Sequence, residues 1–170
     1  SAGRSFIWEN GKINELGKLG SNKRFTALTI NNEGKIAGRG INAFTQMATS
    51  VITWQNGKSR NLGMPKGCDL LYNVMIDGKG RVIGLAEKYE QYMRLFYWDR
   101  KKMRIIRMPK DAKSLFPEGI NDNGQIVGQY IGRRGERAFL YGNGVFTLLK
   151  RPSGITSSRG TAINNMGEIA

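Results

Sequence analysis

The chain has 170 residues, 39% hydrophobic and 24% charged, which is enough apolar material for one domain or for several repeats sharing a core and excludes a disordered composition. It has no His and a single Cys, Cys68, so within this chain a His-based triad, a His-based zinc site and an intrachain disulfide are all excluded. The net charge of +14 at pH 7 speaks to association with anionic partners and to solubility, not to fold.

No apolar run is long enough to cross a bilayer, and no charged-then-apolar leader opens the chain. An exported protein whose leader has been removed remains compatible with this pattern. Gly is frequent, at 23 residues, and Pro scarce, at 4, which favours short strands and tight turns over a helical array.

Two phrases alternate along the chain. The first is an aromatic-rich strand, a tight turn and a return strand, marked by Trp8, Trp54, Trp98 and Tyr141 at spacings of 46, 44 and 43 residues. The second is an apolar residue, an Asn or Asp, turn residues, a Gly and a short apolar stretch. Its markers are Asn31 with Gly34, Asp77 with Gly80, Asn121 with Gly124, and Asn164 with Gly167, at the same spacings. Two independent phrases on one period identify a repeat protein.

Unit one, about 1–40, predicts strands near 4–9 and 12–16 around Asn10-Gly11. Asn-Gly is the strongest short hairpin signal because both residues tolerate positive φ. A loop over 17–23, containing Gly17, Gly20, Ser21 and Asn22, leads to strands near 25–30 and 35–39. At their turn Asn31 accepts from the backbone two residues on and Gly34 supplies a left-handed position. Gly38, Gly84 and Gly128 recur four residues beyond the turn Gly and read as bulges or close backbone approaches.

Unit two, about 41–85, repeats the plan, with Asn56-Gly57 in its hairpin and Met64-Pro65-Lys66-Gly67 opening its loop. Cys68 reads as a partly buried small hydrophobe. Unit three, about 86–130, departs most. Arg100-Lys101 replaces Asn-Gly, which requires another turn geometry or a longer loop begun by Asp99. Glu87, Lys88, Glu90 and Gln91 allow a helix over Ala86–Met93, although the neighbouring copies favour a strand there. Unit four, about 131–170, ends one strand early, which points to a piece of a longer array or a trimmed last strand.

Two hairpins per period make an all-β chain of tandem four-stranded antiparallel units of about 44 residues, β-propeller-like, with four blades or as part of a larger propeller. Open edges favour closure within the chain or self-association if the ring is incomplete. The repeated aromatics read first as core.

The phrases Arg4-Ser5-Phe6-Ile7-Trp8 and Arg137-Ala138-Phe139-Leu140-Tyr141, with Ala27-Leu28-Thr29-Ile30-Asn31 and Ala162-Ile163-Asn164, resemble the bacterial extracellular HAF repeat. Family copies tend to read His-Ala-Phe-Leu-Trp, Leu-Gly, Ala-x-x-Ile-Asn-x-x-Gly and Val-x-Gly. The resemblance covers nearly the whole chain, but Arg4 and Arg137 stand at the His position. It implies a secreted or cell-surface protein and no particular activity.

No phosphate-loop motif is present, and Asn121-Asp122-Asn123-Gly124 lacks the spaced acids of a calcium loop, so it reads as a turn. No cofactor or metal is expected, and no enzyme. Three functions compete. The first is a non-catalytic scaffold for a protein or cell-surface partner, presented on loops near 17–24, 63–70, 108–118 and 150–160. The second is binding of nucleic acid or another polyanion through Arg94, Arg100, Lys101, Lys102, Arg104, Arg107, Lys110 and Lys113, which face only Asp99 and Asp111 in that stretch. The third is a glycan-binding module using exposed Trp. The charge excess is spread along the array, at +4, +3, +3 and +4 for the four units.

Overall fold

The computed structural model describes residues 4–17, 23–88 and 92–170, which form fourteen strands and no helix. Gly20, Ser21 and Asn22 of the first expected loop, and Glu90 and Gln91 of the helical alternative, lie outside the described residues. On either side of the latter the chain is extended.

Four antiparallel sheets follow one another. The first holds β1 (Phe6–Glu9) and β2 (Lys12–Glu15). The second holds β3 (Lys23–Ile30), β4 (Ile36–Asn42), β5 (Ala48–Gln55) and β6 (Lys58–Gly63), neighbours in that order. The third holds β7 (Leu70–Ile76), β8 (Val82–Lys88), β9 (Tyr92–Trp98) and β10 (Met103–Ile105). The fourth holds β11 (Ala112–Ile120), β12 (Ile126–Gly132), β13 (Gly135–Gly142) and β14 (Val145–Leu148). Beyond them Ile163 and Ile169 form an antiparallel bridge around the last Asn-x-x-Gly turn.

The sequence period survives, but the sheets straddle the unit boundaries. Positions 40, 85 and 130 fall inside β4, β8 and β12, so each four-stranded sheet joins the second hairpin of one unit to the first hairpin of the next. The links within the sheets are the shorter ones. Arg133-Arg134 alone links β12 to β13, and Asn42 closes the β4–β5 link by accepting the N–H groups of Phe44 and Thr45 on Oδ1. Links this short keep two strands side by side, and the longer ones pass between sheets. The link before β11 is shorter than the expected loop over 108–118, because Ala112–Ile120 is strand.

The Asn-Gly turns have both central residues left-handed, for example Asn56 at φ 50° and Gly57 at φ 76°. At Arg100-Lys101 only Arg100 is left-handed, at φ 76°, and Asp99 Oδ1 accepts the N–H groups of Lys101 and Lys102 at 3.0 and 2.8 Å. Trp98 still pairs with Met103 as Trp54 pairs with Ser59, so the turn type changes and the register does not.

Gly38, Gly84 and Gly128 are close approaches. A Cβ on them would fall 2.0, 2.1 and 2.0 Å from the backbone oxygens of Thr26, Asn73 and Phe116. Each faces a strand whose register shifts by a bulge.

The cores lie between consecutive sheets. Ile7 and Leu16 pack with Phe25, Ile36 and Ile52 of the second sheet. Ala37 and Val51 pack with Leu71, Val74, Val82, Phe96 and Trp98 of the third. Ile83, Leu95 and Ile106 pack with Leu115, Ile126, Tyr130 and Phe139 of the fourth. Polar links cross the same junctions. Ser5 Oγ donates to the Phe25 oxygen and accepts from Ala27 N, and Arg39 Nη1 reaches the oxygens of Leu71 and Tyr72.

Trp98 is 4% exposed, and Trp54 and Tyr141 are half-buried against these clusters. The core reading fails at Trp8, which is 66% exposed with Phe6 and Ile13 beside it. Trp54, Trp98 and Tyr141 each pair with an Ile or Val of an adjoining strand, whereas β1 pairs only with β2 among the described residues. Cys68 is buried, and burial pushes its thiol pKa up, as suits a small hydrophobe.

Candidate anionic-partner site

The stretch from Arg94 to Lys113 runs through β9, its turn, the short edge strand β10 and the link to β11, and ends in the first two residues of β11. Leu95, Phe96 and Trp98 are buried and the β9–β10 turn is exposed, so its basic side chains are presented along one margin of the third sheet. Ile106 is the exception at that margin. It is buried, and its N–H donates to the Leu95 oxygen at 2.8 Å, which fixes Ile105 and Arg107 on either side.

Two cavities flank this segment. One of about 330 Å³ lies toward the fourth sheet and is bordered by Arg81, Arg104 and Arg107 with Tyr97 and Tyr141. The other, of about 410 Å³, is bordered by Arg94, Arg107 and Lys113 with Met93, Ile105 and Met108. Arg107 borders both. The structure therefore gathers Arg94, Arg104, Arg107 and Lys113 from the expected basic set. Lys101 and Lys102 stand exposed on the turn, Lys110 is exposed on the link, and Arg100 is exposed at its left-handed position; none of these four borders either cavity.

The two acids of this stretch are engaged. Asp99 pairs with Arg104 at 2.9 Å, and Asp111 pairs with Arg134 at 3.4 Å. The N–H groups of Lys102 and Lys101, with Arg104 adding to them, hold the Asp99 carboxyl below its usual range. Arg107 has no ion pair among the described residues.

Arg81, Tyr97 and Tyr141 were not expected at this surface. The signal for Arg81 lay in the repeat: Lys35, Arg81, Gln125 and Glu168 each follow the turn Gly directly, and two of the four are cations.

The second phrase builds a column of turns joining the sheets. Asn31 Nδ2 donates to the Asp77 oxygen at 2.9 Å, and Asn121 Nδ2 to the Asn164 oxygen at 2.8 Å. Asp122 takes the N–H of Gly78 on Oδ1 and the amide of Asn165 on Oδ2, so Asn121–Gly124 is a turn whose polar atoms serve its neighbours. Gly34, Gly80, Gly124 and Gly167 are all left-handed. Among the described residues no group of three His, Cys, Asp or Glu side chains could hold a metal ion, and no helix is long and apolar enough to cross a membrane.

No protein-family model and no curated protein matches the chain. What the site can do rests on its own chemistry: an exposed run of cations, two aromatic rings on one side and a methionine-lined hollow on the other.

Proposed function

We propose that this β-propeller-like array is a non-catalytic binding scaffold that engages an acidic protein surface along the margin of the third sheet. The observation that carries the reading is the hollow where Met93, Ile105 and Met108 meet Arg94, Arg107 and Lys113. An apolar side chain entering beside carboxylates uses both halves of that lining, and methionines adapt to the shape they receive. The Phe-Ile-Trp and Phe-Leu-Tyr phrases support placing the chain with exported or surface HAF-type repeat proteins.

The test is binding of a fluorescent peptide alternating Glu and Leu to the whole chain. Arg107→Glu with Lys113→Glu should abolish it, and Met108→Ser should weaken it without unfolding the protein. Unchanged affinity in the charge-reversed protein would refute the reading.

A second reading, binding of nucleic acid or another polyanion, is favoured by the other cavity, where three arginines surround two tyrosine rings. Tighter binding of DNA or heparin than of the peptide, falling steeply with salt and with Lys101, Lys102 and Arg104 changed to Glu, would establish it instead.

A further inference from the structure

Trp98 of β9 lies under two cations supplied by the neighbouring sheet. Lys35 Nζ is 5.7 Å and Arg60 Cζ 5.3 Å from the centre of its ring. Lys35 comes from the turn before β4 and Arg60 from β6, so both belong to the second sheet and the ring to the third. Arg100 adds a third positive charge from its left-handed position at φ 76°. Burial first, then Arg100 and Arg60, hold the Lys35 ammonium below its ordinary value, while Glu33 and Asp77 act in the opposite sense. A cation over an indole face is attracted to it, which accounts for the Lys35 and Arg60 contacts but not for two like charges on one ring with Arg100, two residues beyond Trp98, adding to their field.

The next junction explains what is missing. By the repeat, Arg81, Arg104 and Tyr141 hold the places of Lys35, Arg60 and Trp98, and they border the 330 Å³ cavity together. There each cation has its own carboxylate: Asp77 pairs with Arg81 and Asp99 with Arg104. In the second sheet the residues at those two positions are the amides Asn31 and Gln55. Among the described residues no ion pair involves Lys35, Arg60 or Arg100. One junction pairs its cations directly with carboxylates; at the other the equivalent cations make no ion pair among the described residues, and Glu33 and Asp77 act on Lys35 only from a distance.

We propose that Lys35, Arg60 and Arg100 form an oxyanion site over Trp98 that takes a dianionic phosphate group, free or esterified to a small molecule. The site stands independently of the acidic-protein reading above. Two guanidinium forks and an ammonium match the several oxygens of a phosphate, whereas one carboxylate would leave two of the three charges unanswered. A phosphate group carries close to two negative charges at neutral pH. Bound beside Lys35, it opposes the positive field of Arg100 and Arg60, so the lysine titrates higher in the complex than in the free protein.

The experiment titrates the chain with inorganic phosphate and, separately, with phosphoserine. One readout is the NMR titration of Lys35 in the unaltered protein. The other is Trp98 emission in a chain carrying Trp8→Phe and Trp54→Phe. A saturable response should appear, with Lys35 moving upward, and Arg60→Gln or Arg100→Gln should weaken binding about 10-fold. Lys150→Gln, at an exposed lysine bordering neither cavity, should leave it unchanged. Equal affinity for both probes assigns the site to the free phosphate group, and tighter phosphoserine binding assigns it to the ester. No saturable response to either probe, or undiminished affinity in both arginine variants, overturns the proposal.

Discussion

Arg81 bonds the Asp77 carboxylate through Nε and donates from Nη2 to the backbone oxygen of Asp122, 2.8 Å away. In the flanking repeats one asparagine does both jobs. Asn31 Oδ1 accepts the N–H groups of Glu33 and Lys35 at 3.1 and 2.9 Å, while its amide reaches the following turn. An aspartate can cap its own turn but has no donor for the next one, and Arg81 supplies it.

Removing only the carboxylate should therefore be costly. The Asp77 side chain is fully buried and that of Arg81 is 17% exposed, so Asp77→Ala should lose about 3 kcal/mol by stranding the guanidinium. Asp77→Asn with Arg81→Gln rebuilds the Asn121–Gln125 pair, whose amide contact is 2.8 Å, and should recover most of the loss. Urea unfolding of the single and double variants measures the coupling; additive losses would contradict the exchange of roles.

Two glycines separate steric from conformational need. Gly128→Ala places a Cβ 2.0 Å from the Phe116 oxygen and should cost about 3 kcal/mol or prevent folding. Gly144→Ala meets no atom within 4 Å and suffers only from φ 81°, so its loss should be about 1 kcal/mol. Similar midpoints for the two in urea would show that the close approach relaxes.

Arg100 holds a position that the other tight turns give to Asn. Arg100→Gly should raise stability by about 1 kcal/mol by relieving the left-handed strain, less the entropy that glycine brings to the unfolded chain. Thermal unfolding at fixed salt decides it, and a lower midpoint would show that the arginine side chain stabilises the turn.

Lys35 gives stability a pH dependence of defined sign. Its pKa is lowered in the folded state, so between that value and 10.5 the unfolded chain binds more protons and stability rises with pH. Arg60, Arg100, Glu33 and Asp77 are the charged groups that set its field. Lys35→Met should flatten this rise in the window just below the ordinary lysine value, as read from urea midpoints across the alkaline range. An identical slope in the variant would assign the dependence elsewhere.

Much of the strand pattern was legible because it is local. Asn10-Gly11, Asn56-Gly57 and Asn143-Gly144 declare their turns through residues that tolerate positive φ, and Gly38, Gly84 and Gly128 declare the close approaches through their missing Cβ. The phase of the sheets was not legible. Both hairpins of a unit have equally good turns, so the turn signals do not say which hairpins lie side by side. The site was half legible. Arg104 and Arg107 stand out in a run of cations, but Arg81 reaches the same cavity from 23 residues earlier, through sheet packing that no short window of sequence contains.

A chain whose sheets and sequence share one period can change its copy number without leaving a broken sheet. Ala37 and Ile83 hold equivalent places in β4 and β8, and in these strands Ile36 faces Trp54 as Val82 faces Trp98. Splicing Ala37 directly to Gly84 would join β3 and the start of β4 to the rest of β8, β9 and β10, giving one whole four-stranded sheet. Recombination between any two equivalent points in neighbouring copies does the same. Gain or loss of a repeat by such an exchange therefore adds or removes one whole sheet, whichever pair of equivalent points is joined.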